Sequence, residues 1–177
     1  MKLRRVLLGG EPAVAILDDA SGRWLAGEGD VLSVLSMSSE ERALSHPLPD
    51  GLLDLLRRPS PCFLATVMPD GSPQLTQTWV TTDGEHIVIN TGVDRRKARN
   101  IAQDPRVAVT ISDPNDTSRY YGVRGHVVAT TTEGASESID EISNKYLGRP
   151  YPNFRGGPDP RLIVTIAVDS IAHAPRD

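Results

Sequence analysis

The sequence predicts a mainly β domain with short helices, in which six antiparallel strands close into a small barrel with helices at its openings. Three observations carry this. Six separate runs alternate apolar and polar residues with a period of two, as a half-buried strand requires. Turn residues punctuate the runs every eight to twelve positions or so, the spacing of sandwiches and barrels. Only two helical segments interrupt them, whereas a parallel α/β sheet needs a helix after nearly every strand.

The elements follow in order. Residues 1–47 have a weak pattern and read as an extension. They hold one candidate hairpin, Val14 to Leu17 with Arg23 to Ala26, and Met37, followed by Ser-Ser-Glu-Glu, reads as a helix start or an alternative translation start. The main domain is assigned to 48–177. It opens with a short amphipathic helix, Leu48 to Arg57, which carries Leu52, Leu53, Leu55 and Leu56 and is ended by Pro59 and Pro61. Phe63 to Met68 is the first strand and Pro69-Asp70-Gly71 its turn. Gln74 to Thr82 is the second strand, Asp83-Gly84 the next turn and Glu85 to Thr91 the third. Asp94 to Gln103 is a short charged helix. Strands through Val107 to Ile111 and Tyr121 to Val127 precede a helix from Glu133 to Leu147, stopped by Gly148 and Pro150, and Leu162 to Val168 is the last strand.

Composition narrows the function. The 177 residues carry 19 Lys+Arg against 23 Asp+Glu, a net charge of −4. That balance argues against a general nucleic-acid or anionic-membrane binder, which needs a basic excess to displace counterions from a polyanion. The 38% hydrophobic and 24% charged fractions are those of a globular chain. Cys62 is the single cysteine, which suits a reducing compartment, and the cytoplasm is the expected location. The apolar run in 1–16 is too short for a membrane span and too broken for a signal peptide.

No metal-ligand spacing links His46, His86, His126 and His173, and there is no phosphate loop or nucleophile elbow. Cys62, beside Phe63, reads as a buried small hydrophobe. The reactive atom is therefore expected on a bound cofactor, and no catalytic side chain is assigned. The sharpest anomaly is Asp94-Arg95-Arg96-Lys97-Ala98-Arg99-Asn100, four cations in five positions opening a helix. Cations there oppose the helix dipole, and Arg95 with Arg99 is a like-charged i,i+4 pair costing on the order of 0.2 to 0.5 kcal/mol. A phosphate would offset both, and a solvated face partly neutralised by Asp94 and Asp104 is the alternative. Asn90, Thr91 and Gly92 lead into this helix. Gln77 and Trp79 on the preceding strand offer an amide and an aromatic ring to a flat heteroaromatic ligand, although a half-buried Trp in a strand is ordinary.

At these residues the sequence resembles the flavin/deazaflavin oxidoreductases of the pyridoxamine 5′-phosphate oxidase-like split β-barrel family, in the branch that uses the deazaflavin coenzyme F-420. The segments that carry the resemblance are Cys62-Phe63-Leu64-Ala65-Thr66-Val67, Asp70-Gly71-Ser72-Pro73-Gln74, Thr78-Trp79-Val80, Arg96-Lys97-Ala98-Arg99-Asn100-Ile101, Asp104-Pro105-Arg106-Val107, Tyr121-Gly122-Val123-Arg124-Gly125 and Tyr146-Leu147-Gly148. The resemblance runs from about Leu48 to Ala172, and its order and spacing are more specific than any one piece.

It implies an FMN-binding-like split barrel and a homodimer with the cofactor in a groove between subunits. It also implies hydride transfer from the reduced deazaflavin to an electron-poor small molecule. By similarity Arg95, Arg96 and Lys97 hold the cofactor phosphate, Gln77, Trp79 and Val80 flank the ring, Asn90 and Thr91 contact its side, Asn100 belongs to the same cofactor-binding set, and Tyr121 lines the tail or substrate region. FMN is the alternative cofactor, and a non-catalytic cofactor- or haem-binding module the alternative role. Pyridoxamine phosphate oxidase proper carries a substrate-binding arginine in a C-terminal segment unlike Ala172 to Asp177, which argues against vitamin B6 oxidation.

Overall fold

The computed structural model describes residues 2–8, 11–18, 23–26 and 48–173. The chain divides into two units, Met1–Ser45 and His46–Asp177. In the first, β1 (Lys2–Leu8), β2 (Glu11–Asp18) and β3 (Arg23–Ala26) form an antiparallel sheet in that order. The expected hairpin is there, with Ile16 opposite Leu25. Strand β1 is additional to it. Leu8 pairs with Glu11, and the intervening Gly9-Gly10 is a hairpin signal that a search for apolar runs alone passes over. The helix start expected at Met37 lies outside the described residues.

The second unit begins with α1 (Asp50–Arg57), whose Leu52 and Leu53 N–H groups both donate to Pro49 O at 2.9 Å. Seven strands follow: β4 (Cys62–Val67), β5 (Pro73–Thr78), β6 (Val80–Thr82), β7 (Ile87–Gly92), β8 (Arg106–Ser112), β9 (Tyr120–Thr131) and β10 (Arg161–His173). Between them lie α2 (Arg96–Gln103) and α3 (Ala135–Leu147). All strand pairs are antiparallel, in the order β5-β4-β8-β9-β10-β7-β6. The sheet curls into a half-barrel, so the mainly β split-barrel expectation holds.

The strand count is corrected from six to seven. The run read as one strand from Gln74 to Thr82 breaks at Trp79, because its halves pair with different partners: β5 with β4, and β6 with β7. These halves are the two edges of the sheet. One residue, Trp79, therefore joins the edges across the seam.

Alternation explains the core. Cys62 and Leu64 of β4, Val109 and Ile111 of β8, Val123 of β9, Val164 and Ile166 of β10, and Ile87 and Ile89 of β7 all point inward and are buried. Leu52, Leu55 and Leu56 of α1 complete one end of it. Arg58, just past α1, reaches Asp54 at 3.0 Å and Asp113 at 2.8 Å, and Arg119 reaches Asp113 at 3.1 Å, which ties the helix to the β8–β9 turn. These guanidiniums and the Asn115 N–H hold the Asp113 carboxyl down at about 2. Strands β9 and β10 bend around the barrel through three register irregularities. At the tightest of these approaches Gly125 lies against Ala167 O, leaving no room for a Cβ.

The helix starts shift inward from expectation for local reasons. Arg95 is extended (φ −72, ψ 150) and caps α2 after a turn in which its N–H donates to Gly92 O. Gly134, with φ +67, caps α3. No helix among the described residues is long and apolar enough to cross a membrane.

Candidate functional site

A groove of about 600 Å³ lies where the seam strands, the end of β7 and the start of α2 converge. Seven of the ten residues proposed from sequence line it: Gln77, Trp79, Asn90, Thr91, Arg95, Arg96 and Lys97. The other three stand elsewhere. Val80 is fully buried in the barrel, and its N–H donates to Tyr146 Oη at 3.3 Å. The Asn100 side chain is buried under α2, donating from Nδ2 to Thr66 Oγ1 at 2.9 Å. Tyr121 points into the core, with its hydroxyl against Gly51.

The cationic end is built by α2. No side chain caps this helix and no acidic residue lies in its first turn, so its leading N–H groups and dipole are uncompensated. Among the described residues, Arg95, Arg96 and Lys97 have no carboxylate partner. Burial pushes the Lys97 ammonium below its ordinary pKa, and repulsion from Arg95 and Arg161 pushes it the same way. Lys97 thus sits in the field of Arg95 and Arg161 with no ion pair of its own among the described residues, while Asp94 lies near enough to Arg95 for that guanidinium to help hold its carboxyl below the usual range.

Arg161 is a site residue that sequence reading missed. The register places it opposite Gly92, so the first residue of β10 meets the last of β7. Its Nη1 donates to Asp159 Oδ2 at 2.9 Å, its Nε donates to Asn90 Oδ1 at 2.8 Å, and its guanidinium lies 4.9 Å from the Tyr151 ring centroid. Asn90 also donates from Nδ2 to Ala135 O at 2.7 Å. Both ends of its amide are engaged, which makes it the residue that aims Arg161 and fixes the start of α3.

The aromatic end is built around Trp79. Its indole stacks on Tyr146 at 5.2 Å and 12°, and meets Tyr151 edge-on at 6.3 Å, while Tyr151 meets Phe154 edge-on at 5.6 Å. Tyr146 is fixed because its hydroxyl donates to Ser60 O at 2.8 Å. The neighbouring Lys145 donates to Leu56 O at 2.7 Å and to Val80 O, so the end of α3 is pinned to α1 and β6. Burial lowers the Lys145 ammonium to about 8 and raises the Cys62 thiol to about 12. Cys62 is accordingly an inert core residue. His86 and His126 pair with Asp83 and Asp169 at 3.0 and 2.7 Å.

Among the described residues, one buried side-chain polar atom in the groove wall lacks a partner. Thr76, on β5, is a lining residue whose Oγ1 is buried without a hydrogen bond. A buried hydroxyl left unpaired costs free energy that a ligand's polar group would recover. The uncompensated cations, the indole and this hydroxyl fit a ligand with a flat polar ring and a phosphate.

The sequence profile described as pyridoxamine 5′-phosphate oxidase matches residues 48–173. Among solved structures, an F-420 reductase is 31% identical with a TM-score of 0.60, covering 71% of this chain and 98% of its own. HupZ of Group A Streptococcus shares the fold at 20% identity and a TM-score of 0.53, covering 73% of this chain and 99% of its own. A conserved hypothetical protein of Mycobacterium tuberculosis does so at 23% and 0.50, covering 76% and 82%. No curated protein sequence matches the chain. With its profile match spanning the whole barrel, the chain belongs to the pyridoxamine 5′-phosphate oxidase family, a split-barrel family of flavin-type oxidoreductases.

Proposed function

We propose that this protein is an oxidoreductase dependent on coenzyme F-420, acting on an electron-poor organic small molecule. The observation that carries the reading is the turn Arg95-Arg96-Lys97, whose cations form no salt bridge among the described residues and open onto the groove beside Trp79. The likeness to an F-420 reductase at 31% identity supports the choice of coenzyme. When bound, the reduced deazaflavin supplies a hydride.

The chain's own residues do the rest. Arg95, Arg96, Lys97 and the first N–H groups of α2 receive the phosphate. Trp79, held flat by Tyr146, forms one wall for the ring, and Gln77, Thr76 and Thr91 offer polar groups at its rim. Arg161, aimed by Asn90 and Asp159, adds a positive field across the groove. A homodimer is part of this reading. Phe63 and Leu75, on paired strands β4 and β5, are 39% and 65% exposed, an apolar outer face that a second copy would cover. A cytoplasmic location accompanies it.

FMN is the rival cofactor, because it too carries a phosphate beyond a ring and chain. Fluorescence titration of the full chain with F-420 and with FMN separates them. Tighter binding of F-420 is expected, with affinity lost in the double variant Arg96→Ala, Lys97→Ala while the fold stays intact. Tight FMN binding without F-420 binding would overturn the coenzyme choice, and unchanged affinity in the double variant would move the site. Retained coenzyme with no protein-dependent oxidation across a panel of quinones and conjugated carbonyls would favour a carrier over an enzyme.

A further inference from the structure

Between α3 and β10 the chain makes a turn that carries a second charge pattern at the groove mouth. Arg155 Nη1 donates to both oxygens of Asp94, at 2.9 and 2.7 Å, and lies 3.7 Å from Asp159 Oδ1, an atom with no hydrogen bond of its own. Asp94 immediately precedes the cationic turn. Its Oδ1 sits 3.3 Å from where a Cβ on Gly92 would be, and Gly92 is part of the groove wall. Unpaired, that carboxylate would set a negative charge beside the place where an anion is to bind. The turn is built to keep Arg155 there. Asn153 adopts the left-handed φ of +43, and its side chain donates to Gly157 O at 2.8 Å, while Gly156 has φ +67. A non-glycine residue in that region is uncommon and is held by its surroundings.

We propose that Arg155 is a positioning residue for the phosphorylated ligand: by engaging both oxygens of Asp94 it cancels the carboxylate that would otherwise repel the ligand's phosphate from Arg95, Arg96 and Lys97. This rests on the phosphate reading of that turn given above. The role is electrostatic, which separates it from a merely structural latch. If Arg155 only fastened the loop, removing Asp94 would harm as much as removing Arg155. If it neutralises Asp94, removing both restores the balance.

The test uses two ligand pairs: FMN with riboflavin, which differ by the phosphate alone, and F-420 with its deazariboflavin, which differ by the phosphate and the acidic tail it carries. Calorimetry on the full chain at low salt gives the affinities. Arg155→Ala is expected to weaken the phosphorylated member roughly three- to fivefold, the range of a partly exposed charge pair, and to leave the phosphate-free member within about twofold. Arg155→Lys, which keeps the charge, is expected to fall between wild type and Arg155→Ala. The double variant Arg155→Ala, Asp94→Asn is expected to return to within about twofold of wild type, and the Arg155→Ala deficit should shrink as salt is raised. A wild-type chain indifferent to the phosphate in both pairs would sink the underlying phosphate reading. Phosphate preference in wild type, with a double variant as weak as Arg155→Ala or no deficit in Arg155→Ala at all, would overturn the role of Arg155 alone.

Discussion

Replacing Lys97 with methionine tests the balance at the cationic turn, because it predicts opposite signs for two measurable quantities. In the ligand-free chain Lys97 is a half-buried ammonium with no carboxylate partner among the described residues, and Arg95 and Arg161 both repel it. Methionine has similar length, keeps the packing of the stem and removes the charge. Stability of the ligand-free protein should therefore rise. The gain is about 1 kcal/mol or less, because the group is partly open to solvent and the repulsion is screened. For a domain of this size it corresponds to a rise in Tm of roughly 2 to 5 °C. Affinity for a phosphorylated ligand should fall, since a charge-assisted hydrogen bond contributes about 1.5 to 3 kcal/mol, or roughly 10- to 150-fold in Kd.

The pH dependence has a fixed sign. The folded pKa of Lys97 lies below 10.5, so between the two values the unfolded chain binds more protons and stability climbs with pH. The penalty carried by wild type is complete below the folded pKa, and the gap between variant and wild type closes as pH rises toward 10.5. Thermal melts with and without ligand, repeated across this range, measure all three. A Lys97→Met protein no more stable than wild type when empty, or one that keeps its affinity within twofold, would refute the idea that this lysine is held uncompensated for an anion.

Other substitutions probe the frame that positions the site. Asp113→Asn should lower the Tm at neutral pH. Because the folded carboxyl titrates at about 2 against an ordinary 3.8, the wild-type advantage should persist down to pH 3.8 and disappear as pH falls through 2, which acid melts would reveal. Lys145→Met leaves Leu56 O and Val80 O without their donor, and chemical denaturation should register a loss of about 2 kcal/mol. Gly125→Ala would place a methyl against Ala167 O and 3.1 Å from Ile166 Cγ2, so a loss of about 2 kcal/mol or more is expected from the same measurement.

What could be read from the sequence was whatever depends on neighbours along the chain. The alternation in Cys62–Val67 and Arg106–Ser112, the cluster at Arg95 to Lys97, and the stop at Gly148 are local signals, and each lies where expected. What escaped depends on pairing at a distance. No turn residue interrupts the run from Gln74 to Thr82, so only the choice of partners, β4 for one half and β7 for the other, reveals two strands. Arg161 looks like a residue before a strand until the register sets it opposite Gly92. The Tyr120-Tyr121 pair poses a question of parity: one residue of slip decides which ring enters the core, and Tyr121 is the one buried. The resemblance sets Asn100 among the cofactor-binding residues, but its position on the buried side of α2 spends its amide on Thr66.

The single-residue seam has a practical consequence. Because Trp79 alone joins β5 to β6, a change in the angle between those strands is expected to shift its indole against Tyr146. The residue is in effect an optical gauge at the seam. In a variant with Trp24 replaced by phenylalanine, the emission of the remaining tryptophan should follow breathing of the fold directly, without any added label.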